Sequence, residues 1–427
     1  MEKQDSRFRW VIFTTVMFTY LFMASQRTAP GLITEQVMRD FHVTASTIGL
    51  LTSIQFFVYT GLQIPMGILV DRFGPNFFLI SGAMLTGLGT IIYSISTYEF
   101  ILFFARVLTG IGDATIWVSM ILILSQWFKA KEFVRLIGVV GMTGNLGFLL
   151  ATVPFSAWIA YLGWREAFFS VGLLLCFCGI LLYFLLVKKT KQLFSNEQVV
   201  LIKNEQQREK TLILLKRIVS NRQAWALFLC HFGVVGGYIG FIGSWAVPFG
   251  MNVYGLTRSD ASQLVMVGLI ASLIGAPSLS WISSRLETIK RPYVFVHFIM
   301  LLCWSIFLLF KGNPPFSWLI ILFFIIGFCY GANSLTFAAV RQFFSIKEAG
   351  LVSGFANTGG FLSAVLLPGI FGNVLDYFQS ANIVEGYYYG FIIPTIFSMI
   401  GLIGVIMITE RKSAGAKEIK PISPFDR

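Results

Sequence analysis

Formal charge is what this sequence holds least of: Asp, Glu, Lys and Arg make up 12% of 427 residues, where a soluble domain carries about a quarter. A chain so poor in charge cannot face water on all sides, which excludes an ordinary soluble domain. Histidine is scarcer still, at three residues, and the runs H-E-x-x-H, G-x-S-x-G and G-x-x-x-x-G-K-[ST] are absent. No enzyme activity, cofactor or metal is therefore expected, and any work must draw on ion or solute gradients. The five cysteines (Cys176, Cys178, Cys230, Cys303 and Cys329) stand inside apolar runs. They read as free thiols acting as small hydrophobes, not as a disulfide framework or zinc site.

What is abundant is apolar: hydrophobic residues reach 56%, Phe alone 44 positions, and mean hydropathy +0.76. The apolar runs predict twelve spans, near 10–30, 45–70, 76–96, 98–128, 133–160 and 164–187, then 224–252, 260–284, 292–311, 316–343, 350–377 and 386–409. This divides the chain into an N-terminal six-helix half (1–187), a linker (188–222), a C-terminal half (223–409) and a tail (410–427). The linker is expected to lie as an amphipathic helix on the membrane surface. No cleavable leader is expected, because the first apolar run is too long for a signal core.

The net charge of +12 could suggest nucleic acid, but its placement points to membrane topology instead. With the N-terminus inside, 26 of the 32 Lys/Arg fall on the cytoplasmic side, and only Arg39, Arg165, Arg258 and Lys311 fall outside. Both termini are thus expected in the cytoplasm. The short loops suit a bacterial inner membrane, with lipids as partners, no nucleic acid, and a monomer. The halves also repeat. Gln126–Glu132 (QWFKAKE) matches Gln342–Glu348 (QFFSIKE) at an offset of 216, and Gly138 and Gly144 meet Gly354 and Gly360 at that offset. Parallel repeats of this kind place a solute site between the halves, near the midplane.

Three motifs then carry a resemblance. Gly67–Pro75 (GILVDRFGP) closes the second span, Arg106–Ala114 (RVLTGIGDA) lies in the fourth, and Gly163–Phe169 (GWREAFF) opens the sixth. In order and at these spans they are similar to landmarks of the major facilitator superfamily, over essentially the whole chain. The resemblance implies an all-α membrane protein of twelve transmembrane helices in two pseudo-symmetric six-helix bundles. Arg27, Tyr59 and Gln63–Gly67 (QIPMG) further resemble the superfamily's organic-anion branch. Pro75 and Asn76 depart from the basic pair usual after the loop glycine, and the fifth span lacks the Gly-Pro signature of drug/proton exporters. The seventh span has no arginine, which argues against phosphate-ester exchange.

Candidate roles follow, each with a plainer alternative. Gly67, Asp71, Arg72 and Gly74, with Arg135 (and Lys347) as partners, form a candidate gate; the alternative is a solvated turn. Arg106 and Asp113 are candidate proton-coupling residues, Asp113 as the acid; the alternative is that each fixes helix packing. Their seven-residue spacing sets them about 10 Å apart, too far for a close pair. Arg27, with Tyr20 on the same face, is expected to hold a solute carboxylate near the outer part of the first span, unless it snorkels to the interface. Tyr59 joins them through the resemblance. His231, Tyr238 and Trp245 recur every seven residues and are expected to line the cavity opposite, although Trp245 would also suit an interface anchor. Asn333 and Asn357, like Asn145, are candidate donors to solute or plain helix contacts. Together these predict alternating-access transport of a small anionic or zwitterionic organic solute, with protons as the coupling ion. An efflux carrier, a non-transporting solute sensor and a membrane enzyme are the rival readings.

Overall fold

A hydrocarbon interior offers the backbone no hydrogen-bond partner, so a chain this apolar must satisfy its amides within helices or closed barrels. The computed structural model of the protein describes residues 7–128, 130–193, 216–344, 346–378 and 382–410. For residues 64, 67, 68, 71, 72, 130, 131, 133–135, 137, 138, 346, 347, 349 and 350 it describes the backbone alone. The described residues form helices and turns with no strand. Twelve helices are long and apolar enough to cross a membrane. They are Phe8–Ser25, Ala45–Gln63, Pro75–Ile95, Glu99–Trp127, Val139–Leu162 and Trp164–Gln192, then Arg222–Ile242, Arg258–Arg285, Lys290–Leu309, Phe316–Phe343, Leu351–Phe378 and Ile383–Met407. Below they are the first to twelfth spans.

Five spans depart from the sequence expectation; the fifth breaks after Leu150 and resumes at Val153, and the twelfth breaks at Phe391. The first helix ends at Ser25, not near residue 30, and a 3₁₀ turn over Ala29–Leu32 leads to a short helix, Thr34–Phe41. Pro30, which lacks an N–H, helps force the stop. The seventh span is not continuous to residue 252: it ends at Ile242 and resumes as Ala246–Tyr254. The tenth breaks into Phe316–Tyr330 and Asn333–Phe343. Residues 194–215 of the linker and 411–427 of the tail lie outside the described residues, while the sixth span's helix runs on to Leu193.

The start of the first span, the end of the twelfth and the described flanks of the linker share one end of the bundle, here called the terminal end; the other is the distal end. The halves close on each other at the distal end. Where a side chain would begin on Gly31 stands the Gly243 carbonyl at 2.6 Å, and Gly372 meets the Ala45 carbonyl at 2.5 Å. Only glycine permits such backbone approach. Across the seam, Ser53 Oγ donates to the Val365 carbonyl (2.5 Å) and Thr34 Oγ1 to that of Ser244 (3.2 Å). The Asp376 carboxylate accepts from the Ala45 and Ser46 amides at 2.7 and 2.8 Å, capping the second span with an anion where the helix dipole favours one. Toward the terminal end, Gly61 and Gly354 have no atom within 4 Å of that position. The close approaches described here between the halves thus gather at the distal end.

Candidate functional site

Breaking the first span after Ser25 turns Arg27 inward. It is 8% exposed, and its Nε donates to Asp113 Oδ2 of the fourth span at 3.1 Å. Gln55 of the second span donates to the same oxygen through Nε2 at 2.9 Å. Asp113 Oδ1 and Gln55 Oε1 have no partner among the described residues. The pairing uses Nε and one carboxylate oxygen, not the parallel two-bond fork that makes Arg–carboxylate pairs strongest. The guanidinium carbon sits 4.9 Å from the centre of the Tyr59 ring, a cation–π distance. Tyr20 faces Arg27, Tyr59 and Asp113, and fits because Gly144 has no side chain: a carbon there would lie 2.6 Å from the Tyr20 hydroxyl. Tyr20, Arg27, Tyr59 and Asp113 are thus brought together as one cluster, and Arg27 does not snorkel.

Arg106 makes no hydrogen bond to this cluster, although its charge still acts on Asp113. Its Nε donates to the Leu51 carbonyl (3.2 Å) and Nη1 to that of Gln26 (3.4 Å), so it ties the second span to the end of the first. That geometry is the packing alternative. Arg27, Arg106 and Asp113 are the buried formal charges among the described residues, all in the N-terminal half.

The C-terminal half faces this cluster with neutral groups. His231 Nδ1 lies 3.0 Å from Thr336 Oγ1, and that oxygen lies 2.6 Å from the Tyr293 hydroxyl. Asn357 faces His231 on one side and Tyr59 on the other. Phe361 packs 4.5 Å from Tyr59, ring centre to centre. Tyr330 lies within electrostatic reach of Arg27, Tyr20 and Tyr59, with Asn333 beside it.

The expected stripe of His231, Tyr238 and Trp245 is not one face. Because the helix stops at Ile242, Trp245 swings to the distal seam, where it is 1% exposed and its Nε1 donates to the Pro368 carbonyl at 3.1 Å. Trp245 is buried and not an interface anchor, and it lines a pocket at the distal seam with Thr34, Glu35 and Asp376. Tyr238 stacks behind Tyr330, ring centres 4.5 Å apart, and lines a small apolar pocket inside the C-terminal half. Asn145 donates to the Gly141 carbonyl of its own helix. For the gate motif, Gly74 turns the chain between the second and third spans with φ 88°, a conformation that suits glycine. Gly67 lies within the second span's helix, and the side chains of Asp71, Arg72, Arg135 and Lys347 lie outside the described residues.

Sequence reading missed Gln55, Tyr293, Tyr330 and Thr336. Each is an uncharged polar residue in an apolar run, a signal too common to single out. Only their convergence on Asp113, Arg27 or His231 marks them.

Comparisons with known proteins agree with this architecture. A family model of the Major Facilitator Superfamily matches residues 13–368. A probable hexose phosphate transport protein of Chlamydia muridarum (strain MoPn / Nigg) is 24% identical over 384 residues, 84% of this chain and 83% of its own. A probable L-galactonate transporter of Escherichia coli (strain K12) is 24% identical over 284 residues, 62% of this chain and 60% of its own. Among solved structures, a bacterial homologue of the human lysosomal transporter Spinster, inward-facing and unoccupied, superposes with a TM-score of 0.74 at 15% identity, covering 94% of this chain and 98% of that one. The chain belongs to the Major Facilitator Superfamily. It is an integral multi-pass membrane protein of a transporter family, not an enzyme.

Proposed function

We propose that the protein takes up a small organic monoanion, a sugar acid or a similar carboxylate, together with protons, by alternating access in a bacterial inner membrane. The observation that carries this reading is the buried Arg27–Asp113 pair, made through a single guanidinium nitrogen. With Asp113 ionised the pair is neutral and the guanidinium is occupied. A proton on Asp113 removes that partner and leaves a buried cation unpaired, which costs several kcal/mol in a low-dielectric site. An incoming carboxylate restores neutrality and can take the two-bond fork. Proton without anion, or anion without proton, leaves an uncompensated charge, and that penalty couples the two. Arg27 and Asp113 are then the exchange pair, Arg106 a tether, and Tyr20, Tyr59, His231, Asn333 and Asn357 the surrounding contacts.

With Lys and Arg marking the cytoplasmic side, the terminal end faces the cytoplasm. The second span's Asp-Arg turn and Arg135 would then close that end in one state of the cycle. A single pairing arginine at the centre suits a monoanionic carboxylate better than a phosphate dianion; the relatives' names include both kinds of solute. The test is uptake into proteoliposomes of L-galactonate and glucose 6-phosphate, with and without an inward proton gradient. Proton-stimulated L-galactonate uptake, lost in Arg27→Gln, is expected. Uptake of every anion tested that is indifferent to pH and survives Arg27→Gln would overturn the reading.

A further inference from the structure

A neutral imidazole carries its proton on one ring nitrogen and accepts at the other, so what holds the first fixes what the second can offer. Thr336 Oγ1 sits between His231 Nδ1 (3.0 Å) and the Tyr293 hydroxyl (2.6 Å) and has one hydrogen for two neighbours. Three arrangements are possible. If Thr336 accepts from both neighbours through its two lone pairs, its own hydrogen has no acceptor among the described residues. If Nδ1–H donates to Thr336 and Thr336 to Tyr293, the phenol hydrogen has no acceptor, since Thr336 is the hydrogen-bond partner found for Tyr293. Tyr293 is wholly buried, so a phenol hydrogen left without an acceptor there is costly. If Tyr293 donates to Thr336 and Thr336 donates to Nδ1, every hydrogen is used. Nδ1 then accepts, and the proton resides on Nε2.

The other edge of the ring is placed for use. It lies over Gly360, where a side-chain carbon would stand 2.5 Å from Cδ2 and 3.2 Å from Nε2. Asn357, which faces His231, also faces Tyr59 across the division between the halves. Tyr59 in turn carries the Arg27 guanidinium on its ring.

We infer that Tyr293 and Thr336 are positioning residues that lock His231 with its proton on Nε2, making it a fixed neutral donor for a hydroxyl or ring oxygen of the solute. Its role in recognition rests on the proposed transport of an organic anion; the tautomer does not. The solute class this favours is a polyhydroxy acid, with carboxylate on Arg27 and oxygen acceptors on the C-terminal half.

The deciding experiment is solid-state nitrogen NMR on histidine-labelled protein in lipid bilayers at neutral pH. The chain has three histidines, His42, His231 and His297, so His231→Gln identifies the signal by difference. A bare Nδ1 and a protonated Nε2 in the unaltered protein are expected, kept in Thr336→Ser and converted to a mixture in Tyr293→Phe and Thr336→Val. A proton on Nδ1 of His231 in the unaltered protein overturns the inference whether or not any variant folds. In the uptake assay with L-galactonate, Thr336→Val should raise KM about ten-fold with little change in kcat, the loss of one oriented hydrogen bond, and Thr336→Ser should recover it. If L-galactonate is not carried, the solute reading falls while the tautomer result stands.

Discussion

The two halves share a scaffold and differ in chemistry. At the repeat offset, Gly144 makes room for the Tyr20 hydroxyl and Gly360 for the His231 ring, so the same absent side chain admits a different polar group in each half. In the fourth and tenth spans that offset sets Asp113 against Cys329 and Arg106 against Leu322. The buried charge thus lies on one side of the cleft and neutral donors and acceptors on the other. A duplicated bundle supplies two walls and a common axis; it does not oblige both walls to do the same work. The N-terminal wall can manage charge while the C-terminal wall reads shape and oxygen placement.

That contrast can be broken most severely at the ion pair. Arg27→Gln alone should destabilise the purified protein by about 3–5 kcal/mol, the cost of stranding one member of a buried pair. Adding Asp113→Asn should recover most of it; thermal unfolding in detergent reads both, and a double variant no better than the single would refute the pairing. Next in size, Cys329→Asp puts a carboxylate at the neutral counterpart of Asp113, where Cys329 is 3% exposed. It should cost about 2.5–3.5 kcal/mol, with no cation to receive it. Gly144→Ala and Gly360→Ala separate the walls more gently. Each forces a ring to move at about 1–3 kcal/mol, but Gly360→Ala should weaken binding of a neutral polyol analogue more than Gly144→Ala does. Equal effects would mean the walls do not divide the work.

The smallest effect concerns Glu35, on the short helix of the distal seam. Burial raises its carboxyl above the usual carboxylate range, opposed in part by Arg258. The folded state therefore holds the protonated acid more readily than the unfolded chain does. The resulting stability is full below the ordinary glutamate range and is lost as pH rises through the raised value. Glu35→Gln should flatten the fall in Tm over that window; an unchanged slope would assign the pH dependence elsewhere.

The number of spans, the repeat and the superfamily were legible in sequence because lipid imposes a length and a hydropathy on each helix, and turn glycines such as Gly74 recur for steric reasons. The breaks at Gly243–Trp245 and Gly331–Ala332 were not, since small and apolar residues dominate them, and the polar break at Gln26–Thr28 was passed over because apolar residues resume at Ala29–Leu32. Trp245 was misplaced for that reason, its heptad spacing assuming a helix that had already ended. Arg27 and Asp113 were each singled out, but their contact spans 86 residues of sequence. Spacing within one helix could relate Asp113 only to Arg106, whose bonds go to backbone carbonyls.

The Arg27–Asp113 pair also has an electrical meaning. A charge crossing the whole membrane field gains or loses about 2.3 kcal/mol per 100 mV. When empty, the pair sums to zero; when a proton and a monoanion occupy it together, it sums to zero again. On the proposed exchange, voltage therefore has no purchase on this site in either leg of the cycle, and accumulation would follow the pH gradient alone.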